Sequence, residues 1–436
     1  MSRFYYNYVV LVTFRTFLPQ IFVGSNNPPS HSHPINNNIL NLNPIIRALA
    51  LTLACISTAH AGESPAETVP VVLKAKAPKP LFDDLGLIYK NNDNRIINEF
   101  WFLGRYHGQY HWSNGSNGNS DFYETRRARI GAQVRLFKHL SLHAQMISGP
   151  DFEPLYNGFT ELWAAWQFNE ALILTLGQQK HRFTHDRNVS SRYLNYLERG
   201  ELTNMFNADY TPAVTLSGRI GKWNYYTGIF SNATGTDMGK AFTDFDSGYS
   251  LLASVTVDLA DYAEQFHTDS ALLNFCYLYS DANVNATNLN RFNDGLSTAL
   301  ILTKDSASLI TEVTAGLGAE AGNAVGLNLQ PGLFLTDKLQ IVGRYQLAGS
   351  DGQNGLQAQR RYERFVGMQT GDRYQAVCLG LNYYVLGHRL KIMGGVEYAT
   401  IGGRDAWTSY IAVRTFWGPH ARGPFPTNAT LPGIIQ

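Results

Sequence analysis

The densest set of side chains able to do chemistry lies in the 33 residues 180–212: Lys180, His181, Arg182, His185, Arg187, Arg192 and Arg199, set against Asp186, Glu198, Glu201 and Asp209. A guanidinium is planar, permanently charged and able to give two parallel hydrogen bonds, so clustered arginines suit the capture of oxyanions. His181 and His185 have the i, i+4 spacing of a helical metal pair. Arg182 and Arg187 flank them, however, and no carboxylate stands at a metal-site spacing, so no metal is expected. The twelve histidines are scattered, and no Gly-x-Ser-x-Gly, phosphate-binding glycine loop or paired-cysteine metal motif occurs. Neither a cofactor nor enzymatic activity is expected.

These residues sit in a chain with a strong rhythm after residue 95. Apolar and polar side chains alternate over stretches of about 8 to 14 residues, and the links between them are alternately tight and long. In 123–136, Ala128, Ile130, Ala132, Val134 and Leu136 fall on one face, and Arg127, Arg129, Gln133 and Arg135 on the other. A strand points successive side chains to opposite faces, so one face is apolar and the other charged. Recurring to residue 417, the pattern predicts an all-β transmembrane antiparallel up-and-down β-barrel, with lipid outside and water inside. In the last strand Trp407, Ser409, Ile411, Val413, Thr415 and Trp417 share one face, and Tyr410, Ala412 and Arg414 the other. Residues 418–436 then read as a C-terminal tail.

The chain opens differently. From Asn43 it reads as a secretory signal, with Arg47 as the positive residue, an apolar core over 48–56 that includes Cys55, and the small-x-small site Ala59-His60-Ala61. The mature start is placed at Gly62. Residues 1–42 read as an over-extended start or a long leader. Residues 62–95, with Lys74, Lys76 and Lys79 among Ala and Pro, read as a flexible periplasmic lead-in. Cleavage would leave 32 basic and 34 acidic residues, so bulk charge favours no nucleic acid or other polyanion. Two cysteines, Cys276 and Cys378, remain; they make no disulfide framework, and their pairing stays open.

Links between strands alternate in length. Tight ones fall near 137–139, 169–171, 221–224, 304–306, 336–338 and 386–389, with a looser one at 259–269. Long ones fall at 112–121, 148–158, 180–212, 232–246, 280–293, 316–323, 346–373 and 400–405. Eight long and seven tight links predict about 16 strands over 96–417, with both barrel ends on the short-turn, periplasmic side.

Several blocks resemble the phosphate-selective porin O and P family: Glu124-Thr-Arg-Arg-Ala-Arg-Ile-Gly131, Leu176-Gly-Gln-Gln-Lys-His-Arg-Phe183 running through a long loop to Glu198-Arg199, Asp337-Lys-Leu-Gln-Ile-Val-Gly-Arg-Tyr-Gln346, Gln359-Arg-Arg-Tyr-Glu-Arg364, Leu381-Asn-Tyr-Tyr384 and Met393-Gly-Gly-Val-Glu-Tyr398. They occur in the right order across residues 96–417. The resemblance implies a 16-stranded, homotrimeric bacterial outer-membrane porin that passes anions, with its third external loop folded into the pore. It would place Lys180, Arg182, Arg187, Arg192 and Arg199 at the pore constriction as anion-binding residues. The loop's mixed charge argues against reading phosphate specificity from the family name.

Strand phase adds Arg127, Arg129, Arg135, Arg219, Arg344, Lys391 and Arg414 as a lumen wall, with Glu161, Asp258, Glu312 and Glu397 as inward acids. Low-dielectric walls amplify such charges, and several moderate sites conduct better than one deep one. The same residues also admit a purely structural role, pairing across the lumen to hold the wall. Arg360, Arg361 and Arg364 fall near the outer mouth, where they would either gather anions or bind anionic sugar-lipid. The function expected is passive diffusion of small hydrophilic solutes across an outer membrane, anions such as phosphate preferred, with membrane lipid as the surrounding partner and no nucleic acid. A general or sugar-type channel, a barrel lipid hydrolase and a structural envelope barrel are the alternatives.

Overall fold

The computed structural model describes Phe82 and residues 84–419, save 235, 236, 263, 264 and 283. The signal, the cleavage site and nearly all of the tail lie outside these residues. The strands are, in chain order, β1 (Leu87–Lys90), β2 (Ile97–Gly115), β3 (Gly118–Leu136), β4 (Leu140–Ile147), β5 (Phe159–Asn169), β6 (Leu172–Lys180), β7 (Tyr210–Ile220), β8 (Trp223–Ser231), β9 (Gly248–Asp258) and β10 (Ser270–Ala282). They continue with β11 (Asp294–Lys304), β12 (Ala307–Leu317), β13 (Ala324–Thr336), β14 (Leu339–Ser350), the two-residue β15 (Leu356–Gln357) and β16 (Thr370–Gly371), then β17 (Arg373–His388), β18 (Leu390–Ile401) and β19 (Arg404–Trp417).

Sixteen of these, β2–β14 and β17–β19, form a closed antiparallel barrel; β19 pairs back on β2 from Ala406↔Gly115 to Trp417↔Gly104. The alternation that builds it is clearest in β17. Val377, Leu379, Leu381 and Tyr383 are exposed on the outer face, while Tyr374, Ala376, Cys378, Asn382 and Tyr384 are buried on the inner one. The final strand follows the predicted phase, with Trp407, Ile411 and Val413 outward and Tyr410, Ala412 and Arg414 inward. Closure needs a bare position on β2. A Cβ at Gly104 would lie 1.8 Å from the Trp417 ring, which also stacks on Phe102 at 6.1 Å. Cys276 and Cys378 are free and buried.

Three expectations are corrected. The first external link is not a loop over 112–121: β2 and β3 run 19 residues each and meet in a turn at 116–117. The last external link is likewise a turn at 402–403 between β18 and β19, not a long loop over 400–405. The loop 351–372 covers both hairpins, since Val366 O accepts from Asn117 N–H at 3.1 Å and Gly367 O from the Arg404 guanidinium at 2.5 Å. Ser, Asn and Gly are turn-formers by propensity, but cross-strand pairing overrides a weak local preference. The third correction is in the lead-in, where β1 pairs antiparallel with β2 rather than remaining flexible. Leu85 O accepts from Gly418 N–H at 2.9 Å and from the Arg389 guanidinium at 3.3 Å, so the two ends of the barrel are tied together at its periplasmic rim.

Candidate functional site

The site begins with a bulge. His107 pairs with Arg127 but Gly108 pairs with Thr125, which leaves Arg126 as an extra residue on β3. Such an insertion turns two successive side chains toward one face. Arg126 therefore joins Arg127 and Arg129 in pointing inward. Arg126 meets Glu198 of the infolded loop, Arg127 approaches His107 Nδ1 at 3.5 Å, and Arg129 donates to Tyr210 Oη at 3.1 Å.

The loop 181–209 enters the lumen and is fastened there by contacts from distant strands. Phe183 and Phe206 pack with tilted rings 4.6 Å apart, and Phe206 and Phe292 4.7 Å apart, against a wall kept bare by glycine. A Cβ at Gly295 would come within 2.6 Å of Phe183, and one at Gly316 within 2.7 Å of Phe292. The Glu312 carboxylate accepts from the backbone N–H of His185 (2.5 Å) and Asp186 (3.2 Å) and from Ser297 Oγ (2.8 Å). On the far wall Lys391 Nζ donates to Leu194 O at 2.6 Å. The Arg414 guanidinium donates to the carbonyls of Leu194, Tyr196 and Leu197, and Arg344 Nη1 to Glu198 O at 2.7 Å. Tyr196 Oη donates to Gly343 O at 2.5 Å. The loop is thus pressed onto β11–β19, and the open space lies between it and the β3–β7 wall.

A second loop narrows the mouth. In residues 351–372, Tyr362 Oη donates to Glu397 at 2.7 Å, and Tyr374 Oη donates to Glu363 at 2.9 Å. The two loops and the β3 wall enclose a cavity of about 600 Å³. Nine arginines line it: Arg126, Arg127 and Arg129 from β3, Arg187 and Arg199 from the first loop, Arg291 ahead of β11, and Arg360, Arg361 and Arg364 from the second loop. The acids are Glu198, Glu201 and Asp209. Burial opposes the charge on Glu198, but Arg126, Arg127 and Arg361 outweigh it and hold its carboxyl well below the usual range. Burial, then the neighbouring Glu363, raises Glu201. Burial and the nearby Arg187 lower Arg199 to about 10, which leaves it charged at neutral pH.

The remaining residues divide by role. Lys180 Nζ bonds the carbonyls of Asn188 and Val189 at 3.2 Å, and Arg199 those of Asp186 and Val189, so both brace the loop. Arg187 lies 3.5 Å from Asp209, Arg182 stacks over Tyr226, and Arg192 stacks over Phe416 and donates to Pro419 O. Arg344, Lys391 and Arg414 have the expected inward phase but are buried beneath the loop, and Arg344 pairs with Glu397 at 2.8 Å. Glu312 is likewise buried as a loop anchor, and Glu161 lies 4.0 Å from His143. Arg135 pairs with Glu99 at 2.5 Å. Arg219 and Asp258 sit at short turns, bonding Gly221 O and Ala260 N–H respectively. Arg360, Arg361 and Arg364 line the same cavity as the loop arginines rather than a separate outer ring. His181 Nε2 contacts Ser250 Oγ, while the backbone N–H of His185 bonds Glu312.

Three inward arginines escape the sequence reading. Arg105, buried with Nη1 on Ser191 Oγ at 2.7 Å, shares a face with His107, Gln109 and His111; that alternation was available in the sequence. Arg126 shows no such signal, because the bulge shifts its phase. Arg291 lies in a link, where periodicity says nothing.

A closed 16-strand antiparallel barrel with an apolar outer belt and loops folded into a polar lumen defines a class: an outer-membrane diffusion channel. The family model of phosphate-selective porin O and P matches residues 102–275. The resembling blocks beyond 275 lie outside that match. Among solved structures, Pseudomonas putida OprB shares the fold at 12% identity, with TM-score 0.52, over 73% of this chain and 94% of its own. Salmonella typhi OmpF, in complex with daunomycin, does so at 10% identity and TM-score 0.51, over 75% and 99%. Outer-membrane-expressed OmpT of Vibrio cholerae does so at 11% identity and TM-score 0.50, over 76% and 100%. No curated protein matches the sequence.

Proposed function

We propose that this outer-membrane channel prefers anions and that inorganic phosphate is among the solutes it passes. The observation that carries the reading is the cavity at the narrowing, where nine arginines face three acids. Fixed positive charge in a low-dielectric constriction raises the local anion concentration, and guanidinium forks match oxyanion geometry. Arg127 and Arg129 are the residues to which solute contact is assigned, because neither has a carboxylate within ion-pair distance among the described residues. The test is the reversal potential of the reconstituted channel in a potassium chloride gradient. The expected sign is that of an anion-selective pore at low salt. A cation-selective or non-selective pore would instead fit a general or sugar-type channel.

A homotrimer is part of the same proposal. Strand β4 has only eight residues. At about 3.3 Å per residue and a tilt near 40° it rises roughly 20 Å, short of the apolar band of about 25 Å. Above it, Phe152, Leu155 and Tyr156 of the link 148–158 are exposed, Leu155 by 68%. Neighbouring copies would cover this low wall. Light scattering of the detergent-solubilised protein should give three chains per particle, and Leu155→Asp should lower that number.

A further inference from the structure

Glu198 meets the wall of the narrowing in an unusual way. Its side chain is 4% exposed, and Arg126 holds it with both arms of a fork: Nε lies 2.5 Å from Oε1 and Nη2 3.1 Å from Oε2. Arg361 adds Nε at 3.6 Å from Oε1, while its Nη1 pairs with Glu124 at 2.6 Å. A planar carboxylate lying across a planar guanidinium is also how an arginine receives a free oxyanion. The loop does not depend on this side chain for its position. Arg344, Lys391 and Arg414 hold the backbone carbonyls of Leu194, Tyr196, Leu197 and Glu198 itself, and those bonds survive any change of the Glu198 side chain.

We propose that Glu198 is a tethered counter-anion: in the empty channel it occupies the oxyanion position between Arg126 and Arg361, and a solute already drawn in by Arg127 and Arg129 must displace it to take the Arg126 fork. This rests on the anion-preferring reading above. The physical need is release. A nine-arginine cavity with no internal competitor would hold a multivalent anion too deeply, and conduction requires a site weak enough to leave. Each solute that takes the Arg126 fork does so by freeing Glu198, and each departure lets the carboxylate return. The net depth of the site is the difference between two similar interactions.

The test compares wild type, Glu198→Gln and Glu198→Asp in planar bilayers, reading the inorganic phosphate concentration that halves chloride current. Glu198→Gln should lower that concentration about tenfold and increase anion selectivity, because a charge a few ångströms from the solute is removed. Glu198→Asp, which keeps the charge, should stay near wild type. An anion-selective wild type with unchanged or weaker phosphate block in Glu198→Gln would overturn the counter-anion role and leave Glu198 a structural clamp. A cation-selective wild type would remove the anion reading itself, and this proposal with it. Folding is checked by heat-modifiable electrophoretic migration. Glu198→Ala replaces the Gln variant if that fails, and failure of both to fold would also make Glu198 a clamp and overturn the proposal.

Discussion

Replacing Arg127 and Arg129 together with glutamine is expected to collapse the anion preference: the low-salt reversal potential should move toward zero and phosphate block should weaken by roughly ten- to a hundredfold, since a hydrogen bond to a charged group is worth about 1.5–3 kcal/mol. Both side chains are inward on β3 and line the cavity, and their hydrogen-bond partners, His107 and Tyr210, are not carboxylates. Arg126 and Arg361 are already matched to Glu198, and Lys180 and Arg199 to loop carbonyls, so their charge is less available to a solute. The double variant should therefore cost more than neutralising Lys180 and Arg199. The shift should fade at 1 M salt, where the screening length is about 3 Å against about 10 Å at 0.1 M. An unchanged reversal potential in a folded variant would move selectivity to Arg105, which pairs across the ladder with Arg129, and to Arg192.

Deleting residues 186–203 is expected to raise single-channel conductance several-fold, because the segment removed is the one laid across the lumen. A 16-stranded barrel is wide enough to hold an aqueous channel once its interior is cleared. The wall should survive the deletion. Lys391, Arg414 and Arg344 would lose their carbonyl partners but gain water, so the charges would be hydrated instead of stranded. The aromatic root of the loop, Phe183 and Phe206 against Phe292, stays in the shortened chain and should keep the β6–β7 link in place. Unchanged conductance in a barrel that migrates as folded would place the narrowing in residues 351–372 instead. Points substituted at the anchors give a graded version of the same experiment: Lys391→Met should increase open-channel noise before it changes mean conductance, as the loop loses one tether among several.

The sequence by itself determined the barrel, because a two-residue period is a local property and lipid tolerates only one face of each strand. Val377 to Tyr383 on the outer face of β17, the alternation through Arg414 in β19, and the inward Arg127 and Arg129 all follow from counting residues. The long loop with its basic side chains was legible for the same reason, as a stretch that breaks the period. Tertiary structure decided what each charge does. The bulge that turns Arg126 inward depends on how β3 registers against β2, which no period within one strand records. The hairpins at 116–117 and 402–403 zip further than local turn propensity suggests, because cross-strand pairing continues to two-residue turns, and loop 351–372 bonds across both. Lys391 and Arg414 share the inward phase of Arg127, yet the loop lies over them and takes their hydrogen bonds, while Arg127 faces the open cavity. Whether an inward cation meets solute or backbone is settled by which wall the infolded loop covers, and that depends on contacts between residues more than a hundred positions apart in the chain, as between Leu194 and Lys391.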